Sequence, residues 1–226
     1  MDRRGVKGRR ENMTMSRARQ AQQRVRAQRA AWSVGPRALP GELKFTDVSG
    51  TATLAIAGGS WTTPGPTFLL NGLTPDSTAT GRIGRKVTLK SLLLRAELRL
   101  ASTSTQGGYG RYLVVLDKQA NGAAPGVTDI LLADAMQSPM NISNSNRFKI
   151  LAEGYFSEVT AQGNYTSEGL EVYKKLEVPV QFNAGTAGTI ADIATGSVYV
   201  LFAQNGTIGT AAPTVVWRSR LRYTDQ

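Results

Sequence analysis

The chain has 226 residues, 41% of them hydrophobic, and a formal net charge of +11, with no cysteine and no histidine. The missing residue types exclude disulfides, zinc sites built on thiolate or imidazole, and nucleophilic catalysis that depends on histidine or cysteine, so we expect no enzyme, cofactor or metal site. The length suits one β domain with a tail, and the lack of an apolar signal-peptide core or a long apolar stretch predicts a soluble protein made in the cytosol.

The positive charge is concentrated at the N-terminus. Residues 1–40 hold ten arginines and one lysine against two carboxylates, which gives a net charge of +9 and leaves only +2 for the remaining chain. This segment has almost no large apolar residue before Trp32, so it has nothing to bury and should not fold by itself. We therefore predict a basic arm over residues 1–40 that binds nucleic acid through its phosphates.

Within the arm, residues 16–31 consist almost entirely of good helix formers, and Ser16 is placed to act as an N-cap. The arm is therefore predicted to be partly helical when bound. Its arginines spread around the helix, which suits a polyanion surrounding it, and arginine favours bidentate phosphate contacts. The candidate nucleic-acid contacts in the arm are Arg3, Arg4, Lys7, Arg9, Arg10, Arg17, Arg19, Arg24, Arg26 and Arg29.

The same charge has two other interpretations. One is a solubility tail, and the other is a nuclear-import signal read by the host import machinery, for which RRGVKGRR at 3–10 is short enough. Import and packaging of nucleic acid are compatible functions of one arm.

A hinge follows the arm, because Pro36 and Pro40 with Gly35 and Gly41 break any helix, so the folded domain should span residues 41–226. From there, β-rich runs alternate with Gly, Ser, Thr, Asn and Pro connectors. The predicted strands are 42–57, 85–100, 110–118, 147–157, 171–182, 196–204 and 213–224. This spacing predicts an all-β fold, an eight-stranded antiparallel jelly-roll sandwich with one strand unplaced.

The predicted strand 85–100 changes phase along its length. Val87 and Leu89 are its first apolar set, whereas the apolar residues that follow are Leu92, Leu94, Ala96, Leu98 and Leu100. A slip of one residue exchanges the two faces of a strand, so we predict a bulge or bend near residues 91–93.

The last predicted strand has two contrasting faces. Alternation places on one face Val215, Trp217, Leu221 and Tyr223, and on the other Arg218, Arg220 and Arg222. The three arginines in line form a basic ridge that is a candidate for a second phosphate contact. A solvated face or salt bridges to a neighbouring subunit would fit the same pattern.

Four segments carry a resemblance to a known family. They are PGELKFTD at 40–47, LLNGLTPDSTATGRIGRKVTLKSLLLRAEL at 69–98, RFKIL at 147–151 and KKLEVPVQFN at 174–183. Behind an arginine-rich arm and in this order, they resemble the single jelly-roll capsid proteins of circular Rep-encoding single-stranded (CRESS) DNA viruses. They are more distantly similar to the satellite tobacco necrosis virus coat protein.

The resemblance implies a capsid protein of which about sixty copies assemble with icosahedral T=1 symmetry. It also implies an arm pointing inward to a single-stranded genome, for which we expect DNA, a place in the virion, and passage through the host nucleus during assembly. On this resemblance, the candidates for contacts with nucleic acid or a neighbouring subunit are Arg82, Arg85, Lys86 and Lys90. An exposed basic strand edge that discourages unwanted pairing is the alternative for these four residues.

Two rival functions remain open at the level of sequence. A nucleic-acid-binding β-sandwich module, such as a chaperone or single-strand binder, would need aromatic platforms on its sheet, and aromatics are only 7% of the chain. A jelly-roll carbohydrate-binding domain would have no use for the arm. Loop carboxylates could meet at subunit contacts to hold calcium, but their spacing does not show that they converge.

Overall fold

A computed structural model describes residues 42–54, 59–99, 108–161, 164–167, 169–205 and 212–225. They form nine strands: β1 (Leu43–Thr53), β2 (Lys86–Arg99), β3 (Gly108–Asp117), β4 (Phe148–Ala161), β5 (Asn164–Ser167), β6 (Gly169–Phe182), β7 (Ile193–Thr195), β8 (Ser197–Asn205) and β9 (Thr214–Asp225). One α-helical turn, α1, spans Val127–Ile130, and 3-10 turns lie at Pro66–Phe68, Ile142–Asn144 and Ile190–Asp192. The predicted arm and hinge lie outside the described residues.

The strands form two antiparallel sheets. One has the order β1-β9-β2-β6-β7 and the other β5-β4-β3-β8. Residues 59–70 extend the second sheet along the free edge of β8, through bridges from Trp61 to Ala203 and from Leu69 to Tyr199. If the short strands β5 and β7 are left aside and this edge segment is included, each sheet has four strand positions. This arrangement confirms the predicted jelly-roll sandwich. The segment takes the edge position of the strand that could not be placed from the sequence, but it forms only isolated bridges. Pro64 and Pro66 interrupt it, because proline cannot donate to a ladder.

The main hydrophobic core lies between the two sheets and contains side chains from both. Trp217 of β9 is 1% exposed. Its indole faces the rings of Phe68 and Phe202, with centroid distances of 6.4 Å and 6.5 Å. A second cluster covers the other face of the four-stranded sheet, where residues of the 118–147 connector pack on β3 and β8. The four-stranded sheet is therefore buried on both faces, whereas the five-stranded sheet keeps one face open.

The predicted phase change in β2 is confirmed. The pairing of β2 shifts register between Leu89 and Ser91 against both of its neighbours, β6 and β9, one or two residues earlier than predicted. This bulge allows Leu89 before it and Leu92 after it to be fully buried. It also turns the residues after Leu92 so that alternate side chains, including Arg95, reach the open face.

Because Tyr199 is buried, the free energy of unfolding should fall at alkaline pH. Burial raises the pKa of its phenol to about 12, whereas the unfolded phenol ionises near 10. The folded state therefore holds a proton that the unfolded state has lost, and this stabilisation, present below about pH 10, disappears as the pH rises to about 12. We expect the free energy of unfolding, measured in urea, to fall between about pH 8 and pH 11.5. This fall should be about 2 kcal/mol smaller for Tyr199→Phe than for the parent chain. An equal loss in both proteins would contradict this origin, and the exposed Tyr173→Phe is the control.

Candidate nucleic-acid interface

The open face of the five-stranded sheet carries the ridge predicted on the last strand. In β9, Val215, Trp217, Leu221 and Tyr223 are buried in the core, and Arg218, Arg220 and Arg222 are exposed on the opposite side. The alternation predicted from the sequence is confirmed. Since β9 lies between β1 and β2, each arginine stands in a row of side chains that crosses the sheet.

In the row through Arg218, a cation without an ion-pair partner among the described residues lies beside a paired one. Arg218 lies opposite Ser49 of β1 and Arg95 of β2, and Arg95 in turn lies opposite Glu171 of β6. The Arg95 Nε donates to Glu171 Oε2 at 2.7 Å, with both side chains exposed. No carboxylate among the described residues is within ion-pair distance of Arg218. Its guanidinium is therefore available to an external anion.

The row through Arg220 is internally neutralised. Arg220 Nε and Nη2 donate to the two carboxylate oxygens of Asp47 at 2.7 Å and 2.6 Å, and the guanidinium lies 5.0 Å from the centroid of the Phe45 ring. The hydrogen bond from Arg220 lowers the pKa of the Asp47 carboxyl below its usual value. The Nε/Nη2 edge of the guanidinium is therefore occupied and its charge is balanced by Asp47, so Arg220 attracts an external anion less strongly than an unpaired arginine does. Farther along the row, Leu93 lies opposite Tyr173 of β6.

The row through Arg222 combines two cations that have no ion-pair partner in the part of the chain that the structure describes. Arg222 lies opposite Phe45 and Ser91, and Ser91 lies opposite Lys175 of β6. Both Arg222 and Lys175 are exposed, and no described carboxylate forms an ion pair with either. The neighbouring Lys90 is paired with Glu177 at 2.7 Å. This end of the face is therefore more strongly positive than the middle.

Two shallow depressions lie on this face. One, of about 470 Å³, has Arg218, Arg95 and Asp47 among its lining side chains. The other, of about 560 Å³, is lined by Arg222, Lys175 and Tyr173 together with the Lys90–Glu177 pair. Each depression thus brings cations around a concave surface, which suits an extended polyanion.

The four basic residues singled out by family resemblance have different surroundings. Arg82 is only 3% exposed and donates to the carbonyls of Leu73, Gly84 and Gly185 at 3.2, 2.9 and 2.7 Å. Burial lowers the pKa of its guanidinium. These hydrogen bonds join the loop that contains Arg82 to the loop that contains Gly185. The Arg82 side chain is therefore too buried in this chain to contact a partner. Arg85 and Lys86 are exposed at the start of β2, and Lys90 is engaged with Glu177.

The predicted contacts in the arm, Arg3, Arg4, Lys7, Arg9, Arg10, Arg17, Arg19, Arg24, Arg26 and Arg29, lie outside the described residues.

The loop carboxylates that could have held calcium accept hydrogen bonds from backbone amides instead. Asp129 Oδ2 accepts from the Gly126 amide at 2.7 Å, at the start of α1. Asp134 accepts from the Trp61 amide at 2.8 Å, and Asp192 from the Thr189 amide at 3.1 Å. Asp76 accepts from Thr78. Over the described ranges, no three acidic side chains are grouped to hold a metal ion, and no helix there is long and apolar enough to cross a membrane.

Sequence reasoning did not select Tyr173 and Lys175. Both lie in β6, where every second residue from Glu171 to Glu177 is exposed, and Lys174 between them is exposed as well. This period of two was readable in the predicted strand 171–182. The sequence could not show that this face adjoins the face of β9, because β6 reaches β9 only through β2.

Comparison with known proteins places this chain among viral coat proteins. The family model described as satellite tobacco necrosis virus coat protein matches residues 54–226. The coat protein of Maize white line mosaic Satellite virus is 38% identical over 74 residues, which are 32% of this chain and 34% of the relative. The match thus spans about a third of the relative's length.

The chain is also similar to solved capsid structures, two of which serve as examples. The empty head of turnip yellow mosaic virus is 10% identical, with 86% of this chain and 87% of that chain covered and a TM-score of 0.36. The 60-mer of the BFDV capsid protein is 11% identical, with 83% and 95% covered and a TM-score of 0.34.

Proposed function

Because this chain belongs to the satellite tobacco necrosis virus coat protein family, we propose that it is a structural subunit without enzymatic activity. About sixty copies assemble into a T=1 icosahedral shell in the virion. The shell encloses single-stranded nucleic acid, which the arginine-rich arm neutralises. The observation that carries this proposal is the charge distribution: a segment with a net charge of +9 precedes a domain of nearly balanced charge that matches a coat family.

The arm works through phosphate contacts. Each arginine that neutralises a phosphate releases counterions, so packaging should weaken steeply with salt and show little preference for sequence. In a closed shell, many arms share one enclosed volume, and their combined charge condenses a strand that would otherwise repel itself. The same segment at 3–10 is our candidate for recognition by the host import machinery, which would bring the chain to the nucleus.

DNA as the cargo depends on the motif resemblance to CRESS virus capsid proteins. The family whose model matches the chain is that of the satellite tobacco necrosis virus coat protein. Arginine contacts to phosphate do not discriminate deoxyribose from ribose. The test is digestion of nuclease-protected cargo extracted from purified particles. Sensitivity to DNase and resistance to RNase would support single-stranded DNA, whereas RNase-sensitive cargo would contradict DNA and leave packaging intact. Particles without protected cargo would contradict packaging itself.

A second candidate is a nucleic-acid-binding module that does not assemble. That function requires an aromatic platform, and Tyr173, 61% exposed on the basic face, is one. Family membership favours the coat protein, and the particle mass of the purified chain separates the two functions.

A further inference from the structure

We propose that the open face of the five-stranded sheet is a second binding site for single-stranded nucleic acid, independent of the arm. In this site, Arg218 at one end and Arg222 with Lys175 at the other hold phosphates, and Tyr173 stacks on an unpaired base. The inference rests on the proposed function, because it names how the cargo would be held by the shell domain itself.

The cations of this face differ in whether a carboxylate partners them. Four of its cations have a carboxylate partner, in the pairs Lys90–Glu177, Arg95–Glu171, Arg99–Glu97 and Arg220–Asp47. Within the described part of the chain, Arg218, Arg222 and Lys175 form no such pair. Unpaired arginines offer a planar fork of donors that matches a phosphate. The free cations, and not the whole ridge, therefore define the site.

The spacing of Arg218 and Arg222 makes them separate contact points. Arg218 and Arg222 are four residues apart on one strand, which corresponds to roughly 13 Å along it. Between them, Arg220 is held by Asp47 in a bidentate pair. The face therefore offers two separate contact points, one in each depression, instead of one continuous ridge. Two points contacting one flexible strand bind more tightly than either point alone.

An exposed aromatic ring on this face indicates the kind of ligand. Tyr173 lines the same depression as Arg222 and Lys175 and exposes 61% of its surface. An exposed ring beside cations can stack on a base whose face is free, as in a single strand, while the bases of a duplex already stack on each other. The combination therefore fits single-stranded nucleic acid better than a duplex or an acidic protein surface, for which the ring would have no specific use.

The test uses the full-length chain with the ten arm arginines replaced by glutamine, so that chain length is kept while the arm charge is removed. The probe is a fluorescently labelled oligothymidylate, whose binding is followed by anisotropy over a range of salt concentrations. In this background, Arg218→Gln/Arg222→Gln should weaken binding about tenfold or more. The double change should also reduce the slope of log K against log salt by about 1.4, since each phosphate contact on a single strand contributes about 0.7.

Matched controls separate the site from total charge and from the fold. Lys118→Gln/Lys149→Gln removes two exposed charges next to the other sheet and should leave the affinity unchanged. Tyr173→Leu should weaken binding roughly tenfold, whereas Tyr173→Phe, which keeps the ring, should not. The side chains substituted in the β-sandwich are all exposed, so the thermal melts of these variants should match that of the arm-neutralised parent.

Three results would overturn the proposal. The first is no measurable binding by the arm-neutralised chain, and the second is equal weakening by the two lysine changes. The third is a loss of self-association with unchanged oligonucleotide binding, which would assign the face to a second copy of the chain. The proposed function fails separately, if the chain with an intact arm forms no particles or encloses no nucleic acid.

Discussion

Deletion of residues 1–31 should leave the β-sandwich folded and reduce the nucleic acid enclosed in assembled particles to a small fraction of that in the full-length protein. The deleted segment contains nine of the ten arm arginines. The described core begins with Ala52, and every buried side chain of both hydrophobic clusters comes from residue 52 or later. The deletion therefore removes most of the phosphate-binding charge without removing a described core contact.

The measurement is the 260/280 nm absorbance ratio of purified particles, together with circular dichroism and a thermal melt of the deleted chain. A matched variant replaces the arm arginines by lysine, which keeps the charge and loses the bidentate contacts; it should retain part of the cargo. Particles of the deleted chain with the same cargo as the parent would show that the arm does not package nucleic acid.

Replacing Arg147 with methionine should destabilise the shell domain by about 3 kcal/mol, because it leaves a buried carboxylate without its counter-ion. Asp117 is 0% exposed and accepts from Arg147 Nε and Nη2 at 2.9 Å and 2.8 Å. This hydrogen bond raises the pKa of Arg147. The pair joins the end of β3 to the residue before β4, so its loss should loosen both ends of the 118–147 connector.

The exposed pair of Arg220 and Asp47 is the matched control. It has the same bidentate geometry, but each side chain is 48% exposed. Arg220→Met should therefore change the free energy of unfolding in urea by less than about 1 kcal/mol. The double variant Asp117→Asn/Arg147→Met should recover part of the loss, since asparagine buries no charge. Equal costs for Arg147→Met and Arg220→Met would contradict the role given to burial.

Much of the fold could be predicted from local pattern. Alternation alone placed Trp217 inside and Arg218 outside, and the phase change around Leu89 and Leu92 located the bulge in β2 to within two residues. All seven predicted strands are present. The short strands β5 and β7, with four and three residues, were missed, because so few residues show no period.

The site could be predicted only in part, because its geometry depends on pairing between distant segments. Arg220 meets Asp47 across 173 positions of sequence, so its neutralisation was not readable from β9 alone. Arg82 was identified as a cation, but its burial follows from the approach of the loop carrying Gly185, 103 positions away. The local alternation of residues predicts on which face of a strand a side chain lies. The residues that neighbour this side chain across the sheet depend on the order of the strands.

The proposed function requires that this chain closes, as a coat subunit, into a shell around nucleic acid. Size exclusion with light scattering on the full-length protein, with negative-stain microscopy of the same fractions, tests it most directly. We predict uniform closed particles containing about 1.5 MDa of protein, as expected for about sixty copies, and an absorbance ratio that shows enclosed nucleic acid. A monodisperse monomer that stays small when single-stranded oligonucleotide is added would contradict it.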